Sequence, residues 1–132
     1  MTAVDTNVVV RLLTDDDPRQ SAAARALFAD GPVWIAKTVL LETGWVLRCL
    51  YGFDERTVQD ALTKLLGLRN VHAEDPASVA DALALTGHGI ELADAIHLTS
   101  RPPGVAFVSF DRTFVRRAKR AGATAVSGLP GG

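Results

Sequence analysis

Short apolar runs alternate along the chain with longer segments of helical character, and this alternation constrains the fold more than any other feature. Asp17-Pro18 and Asp54 each predict the start of a helix, because aspartate is a common N-cap and proline fits the first helical turn. The strand-like runs are residues 2–4, 33–36, 70–73, 105–110 and 124–126. Their alternation with helices predicts an α/β fold with a mainly parallel central sheet and helices on both faces.

The length of the chain predicts one domain. With 132 residues it can bury roughly two thirds of the surface that its unfolded form exposes. We place this domain at residues 1–126. Residues 127–132 read Ser-Gly-Leu-Pro-Gly-Gly, which is typical of a flexible C-terminal tail.

Four carboxylates lie where an apolar residue or the mouth of a sheet is expected. Asp5 and Asp111 each directly follow a strand-like run, and ligands bind at the carboxyl ends of strands in open α/β sheets. Glu42 and Asp94 each have apolar residues three and four positions away, so we expect both on or beside the apolar face of a helix.

Such a quartet would need a counter-charge if the fold brought it together. At separations of ~5 Å, each like-charged pair costs about 3 kcal/mol at an effective dielectric of about 20. Protons or hard cations must then lie among the acids. Ligation by carboxylates alone favours Mg²⁺ or Mn²⁺, since zinc and softer metals favour clustered Cys or His.

Each acid also has a simpler interpretation. Asp5 and Asp111 could be plain helix N-caps. Glu42 could reach water from the edge of its helix, and Asp94 could pair with the nearby His97. The four simpler interpretations are independent of one another, whereas a metal site explains all four positions together.

The net charge of −1 gives no general attraction to nucleic acid, so RNA binding would need a local patch. A basic run directly after Asp111 offers one, and its alternative interpretation is a solvated helix face. The run consists of Arg112, Arg116, Arg117, Lys119 and Arg120.

The remaining residues favour a cytoplasmic protein. Cys49 is the only cysteine, which excludes an internal disulfide and indicates a reducing compartment. No apolar run approaches the ~18 residues of a membrane span, and no leader is recognisable. We expect Cys49 to be a small core residue, and Trp34 and Trp45 to be core or interface residues.

Four ordered segments carry a resemblance to a known family. They are Val4-Asp5-Thr6-Asn7, Thr38-x-x-x-Glu42, Leu92-Ala93-Asp94-Ala95-Ile96-His97 and Phe107-Val108-Ser109-Phe110-Asp111-Arg112-Thr113-Phe114. The set resembles the signature segments of the PIN-domain ribonucleases. More narrowly, the chain is similar to the VapC toxins of type II toxin-antitoxin systems.

This resemblance implies an activity and a site. It implies a toxin that is an Mg²⁺- or Mn²⁺-dependent endoribonuclease, in which a metal-activated water attacks the scissile phosphate. The acids that match the family's metal-binding and catalytic quartet are Asp5, Glu42, Asp94 and Asp111. Thr6 and Asn7 match the small polar residues that support the first acid. Candidate RNA-binding residues are Arg112, Arg116, Arg117 and Arg120.

The resemblance also implies partners. These are a VapB-type antitoxin and an RNA substrate, a loop of transfer or ribosomal RNA. The predicted helices carry more apolar surface than a small sheet can cover, which favours a groove for an amphipathic helix. Part of that surplus, with Trp45 a candidate, predicts a homodimer and a larger hetero-oligomer with the antitoxin.

Other classes of function fit less well. A haloacid-dehalogenase-type phosphatase needs a second aspartate two residues after the first, where this chain has Asn7. A receiver domain needs paired acids at the first strand end and a lysine that ends a late strand, and the chain has neither. The strongest rival is a catalytically silent PIN-like domain that binds a metal, RNA or a partner.

Overall fold

The computed structural model describes residues 1–131 and places seven helices and five strands in them. They are β1 (Thr2–Ala3), α1 (Thr6–Thr14), α2 (Pro18–Asp30), β2 (Val33–Ile35), α3 (Lys37–Cys49), α4 (Glu55–Leu66), β3 (Val71–Ala73), α5 (Pro76–Thr86), α6 (Leu92–Thr99), β4 (Phe107–Ser109), α7 (Arg112–Arg120) and β5 (Val126–Gly128). The chain forms two compact units, residues 1–76 and the residues from Ala77 onward.

Aspartate N-caps begin four of these helices. In each case a side-chain oxygen accepts a hydrogen bond from the backbone N–H three residues later, which satisfies a donor that the helix itself leaves unpaired. The four caps are Asp5 of α1, Asp17 of α2, Asp54 of α4 and Asp111 of α7. The predicted Asp17-Pro18 and Asp54 helix starts are therefore confirmed.

The first unit is built on a parallel sheet with the strand order β1-β2-β3. Val33 and Ile35 on the central strand are fully buried, since helices α1 to α4 supply the surrounding apolar residues. Helix α1 packs against α2 and α3, and α4 packs against α3 and β3. Because the strands are parallel, their carboxyl ends lie at the same edge of the sheet. Asp5, two residues after the end of β1, follows one of these ends.

Helix α3 begins without a side-chain cap of its own. The helix begins at Lys37, and Ala36 at the cap position makes no side-chain bond. Instead the backbone N–H of Lys37 donates to the carboxylate of Glu74, which follows β3, at 2.9 Å. Parallel pairing of β2 with β3 brings these two strand ends together, so a distant residue satisfies the helix start.

The second unit is built on a two-stranded parallel sheet, β4 with β5, against which α7 packs. The rings of Phe107 and Phe114 are in contact, with centroids 5.6 Å apart. The Arg101 guanidinium donates to the backbone carbonyl oxygens of Thr124 at 2.6 Å and Val105 at 2.9 Å. These bonds hold the chain just before each of the two strands.

The predicted α/β class with parallel strands is confirmed. Within residues 1–131, however, the strands pair in two sheets and not in one central sheet. The last strand also lies later than predicted, because Ser127 and Gly128 pair with Val108 and Ser109. It therefore extends two residues beyond the domain boundary predicted at position 126, and Gly132 lies outside the described residues.

Helix length bears on the membrane question. The longest helices of residues 1–131 contain 13 residues. No helix in this part of the chain is both long and apolar enough to cross a bilayer.

Candidate active site

Asp94 and Asp111 line one pocket of the second unit. The pocket has a volume of about 290 Å³. Its lining consists of Gly89, Ile90, Glu91, Asp94, Asp111, Thr113, Phe114 and Arg117. Two of the four predicted acids are thus brought together, and a third carboxylate, that of Glu91, lies with them.

Asp111 reaches this pocket from the turn between β4 and α7. Its Oδ1 accepts a hydrogen bond from the backbone N–H of Phe114 at 3.0 Å, and its own N–H donates to the Ser109 hydroxyl at 3.0 Å. The helix-cap interpretation of Asp111 is therefore correct. It does not compete with metal binding, since a carboxylate has two oxygens and the cap uses one lone pair of one of them.

Asp94 lies in the first turn of α6 and is half-buried. Burial raises the pKa of its carboxyl above the ordinary value of 3.8, and the negative charges of Glu91 and Asp111 raise it further. His97 acts on the same carboxyl in the opposite direction. The net result is that ionised Asp94 is disfavoured in the protein alone, and a nearby cation would relieve that cost.

Asp5 is the N-cap of α1, and its Oδ1 accepts from the backbone N–H of Val8 at 3.1 Å. It is exposed and lines a second pocket, of about 350 Å³, within the first unit. That pocket is lined by Asp5, Asn7, Val8, Arg11, Gln20, Ala23, Ala24 and Leu27. Of the two predicted supporting residues, Asn7 shares this pocket with Asp5, and Thr6 is half-buried at the first position of α1.

Glu42 is exposed on α3, so the prediction that it lies on or beside the apolar face was wrong. The buried residues of this helix are Leu40, Thr43, Gly44 and Leu47. Cys49 is also exposed, so its predicted core position was wrong too. Trp45 is 58% exposed, which excludes a core role and leaves the interface interpretation as a prediction.

The convergence of all four acids remains a prediction. Asp5 and Glu42 belong to the first unit, whereas Asp94 and Asp111 belong to the second. Within residues 1–131, no three His, Cys, Asp or Glu side chains are arranged so that they could hold a metal ion. The donor chemistry of the Asp94 pocket, three carboxylates in one lining, nevertheless fits a hard cation.

The basic run forms helix α7, and its arginines and lysine are exposed. Arg117 differs from the others because it lines the Asp94 pocket and donates to the carbonyl oxygen of Gly89 at 2.7 Å. The exposed positions of Arg112, Arg116 and Arg120 are compatible both with RNA binding and with a solvated face.

Two acidic residues near the pockets were not identified from the sequence. Glu91 lies three residues before Asp94, a spacing that could have indicated a shared helical face. The carboxylate of Asp16, in the loop after α1, accepts from Arg11 at 2.9 Å and from the Tyr51 hydroxyl at 2.6 Å. The Tyr51 hydrogen bond is the main cause that lowers the pKa of Asp16.

The raised pKa of Asp94 predicts how stability depends on pH. The folded protein holds the proton of Asp94 more tightly than the unfolded chain does. The resulting stabilisation of the folded state is complete below pH 3.8 and is lost as pH rises through the pKa of the folded protein. In chelator, Asp94→Asn should therefore be more stable than wild type at pH 7, with the gain disappearing in acid. Urea unfolding across this pH range measures the difference.

With metal present, wild type should become more stable than Asp94→Asn. An ion present at a hundred times its dissociation constant stabilises the folded state by about 2.7 kcal/mol, and Asp94→Asn should lose most of that gain. Asp60→Asn on α4 is the matched control, because Asp60 is an exposed aspartate outside the pocket. Equal stability of Asp94→Asn and wild type at every pH would contradict the expected repulsion.

A family comparison covers most of the chain. A family model described as the PIN domain matches residues 2–120, a range that includes all four predicted acids and the whole of α7. No curated protein matches the chain. PIN domains are generally metal-dependent nucleases.

Proposed function

Because the chain belongs to the PIN domain family, we propose that it is an Mg²⁺- or Mn²⁺-dependent endoribonuclease and the toxin of a type II toxin-antitoxin system. The observation that carries the nuclease part is the shared pocket of Asp94 and Asp111, in which burial and then neighbouring negative charge raise the pKa of Asp94. The observation that supports the toxin part is the resemblance of the four acidic segments to VapC proteins.

The residues that would hold the ion are Asp5, Glu42, Asp94 and Asp111. The chemistry that the ion supplies when bound is activation of the attacking water and stabilisation of negative charge on the phosphate. Two of the acids are oriented by the fold, since Asp5 and Asp111 each cap a helix directly after a strand. Asp94 is positioned by the first turn of α6. Thr6 and Asn7 support Asp5.

RNA would approach along α7. The chain as a whole is nearly neutral, so attraction to phosphates must come from a local concentration of positive charge. Arg112, Arg116 and Arg120 are exposed on the helix that Asp111 caps. Attraction of RNA by these side chains would bring its backbone toward Asp111. We propose a loop of transfer or ribosomal RNA as the substrate.

The proposed antitoxin is a VapB-type protein with an amphipathic helix. The pocket beside Asp5 offers a place for it, because Val8, Ala23, Ala24 and Leu27 give that pocket an apolar lining. A basic side chain of the antitoxin could pair with Asp5 at the same pocket and so exclude the metal. Trp45, exposed on α3, is our candidate for the homodimer interface.

Expression in cells tests the toxin part of the proposal. We expect the wild-type gene to be poorly tolerated alone, and tolerated when the neighbouring small open reading frame is expressed with it. Asp5→Ala alone should be tolerated, because it lacks one of the acids. Growth after induction measures each case. Harmless strong expression of the wild type alone would contradict the toxin role and leave the family assignment unchanged.

A further inference from the structure

Arg117 differs from the other basic residues of α7 in what it contacts. It comes three residues after Phe114, which is buried, and therefore lies at the edge of the buried stripe. Arg112, Arg116 and Arg120 are exposed as well. The difference is that Arg117 lines the pocket of Asp94 and Asp111, whereas its basic neighbours do not.

The turn before α6 holds the guanidinium of Arg117 in place. Gly89 in this turn has a φ of +80°, and a Cβ there would lie 3.4 Å from the central guanidinium carbon. The positive φ favours glycine here, and the Gly89 carbonyl oxygen accepts from Nη1 at 2.7 Å. A carbonyl carries no net charge, so this bond orients the cation and does not neutralise it.

We propose that Arg117 binds a phosphate of the RNA at the acidic pocket, next to the bond that is cleaved. This inference rests on the proposed nuclease function and assigns Arg117 a task that the exposed arginines of α7 do not share. A guanidinium has five N–H donors in a planar fork that matches two phosphate oxygens. The Gly89 bond uses one of them and fixes the plane of the fork.

This placement gives Arg117 a specific electrostatic task. An RNA phosphate that enters a pocket lined by Glu91, Asp94 and Asp111 meets three carboxylates. A cation anchored at the rim attracts that phosphate while the acids remain available for the metal. Arg117 should therefore act on RNA and not on metal binding. Its removal should leave metal affinity unchanged or raise it, because one positive charge disappears from beside the site.

Arg117→Met is the test variant, and Arg56→Met, at an exposed arginine in the first turn of α4, is the matched control. We expect Arg117→Met to lower kcat by about 10- to 100-fold, the range for a lost hydrogen bond to a charged group. Its rise in melting temperature with Mn²⁺ should equal or exceed that of wild type. Arg56→Met should leave RNA binding, kcat and the Mn²⁺-induced rise in melting temperature unchanged. Arg117→Lys, which keeps the charge and a donor, should restore part of the lost activity.

Two outcomes would overturn the inference. Loss of the Mn²⁺-induced stabilisation in Arg117→Met would mean that Arg117 holds the acids in place and does not bind phosphate. An unchanged kcat in Arg117→Met, or an equal loss in Arg56→Met, would mean that Arg117 has no special role. If wild type cleaves no RNA, the proposed function fails. In that case the affinity for a labelled single-stranded RNA, measured by anisotropy in chelator, tests phosphate binding by itself. Equal affinity of wild type and Arg117→Met would reject it.

Discussion

Asp94→Asn is expected to lower RNA cleavage by about 10²- to 10³-fold, the loss typical of removing one preorganised electrostatic group from an active site. The amide keeps the shape of the side chain and removes the charge that would bind the ion. Asp5→Asn should have a similar effect, although its amide oxygen can still accept the N-cap hydrogen bond from Val8. Single-turnover cleavage of a labelled RNA in saturating Mn²⁺ measures both variants.

Asp60→Asn serves again as the control for a general loss of negative charge. It should cleave at the rate of wild type, since Asp60 lies on the exposed side of α4. The metal-binding role of Asp94 would be contradicted if Asp94→Asn retained wild-type cleavage under the same conditions.

Changing Arg112, Arg116 and Arg120 together to Ala is expected to weaken RNA binding and to flatten its dependence on salt. Each phosphate contact to single-stranded RNA contributes about 0.7 to the slope of log affinity against log salt, so the triple change should reduce the slope by about 2. Cleavage at saturating RNA should change much less, because Arg117 and the acids are retained. Anisotropy titrations at several salt concentrations measure the slope.

The control for this prediction is a charge change elsewhere on the surface. Arg19 and Arg56 are exposed arginines near the starts of α2 and α4, and their replacement by Ala should leave the slope unchanged. A triple variant with the wild-type slope would show that this face of α7 is simply solvated.

Features set by local sequence could be predicted well. Asp17-Pro18 and Asp54 marked the starts of α2 and α4, because an N-cap bond involves residues only three positions apart. Asp5 and Asp111 were placed at strand ends for the same local reason, and the structure has them there as caps. The family assignment followed from the order of such segments.

Features set by distant contacts could not be predicted. Apolar neighbours suggested that Glu42 faces the core, but α3 buries the side that carries Thr43 and Gly44. Hydrophobicity does not indicate which of two partly apolar faces is covered. Likewise, Glu74 at the start of α3 lies 37 residues from Lys37, and the Arg117 to Gly89 bond spans 28 residues. No local pattern indicates such pairs.

The most direct test of the metal-dependent nuclease is to map the 5′-phosphate ends that the purified protein produces in total cellular RNA. Wild type should produce new ends at a small set of sites when Mg²⁺ or Mn²⁺ is present. It should produce none in chelator, and Asp94→Asn with metal should produce at least about 100-fold fewer. The same ends at the wild-type yield in chelator, or from Asp94→Asn, would contradict the account. The remaining outcome is that wild type produces no new ends with either metal, although the RNA includes transfer and ribosomal RNA. That result would favour a silent PIN domain that only binds its partners.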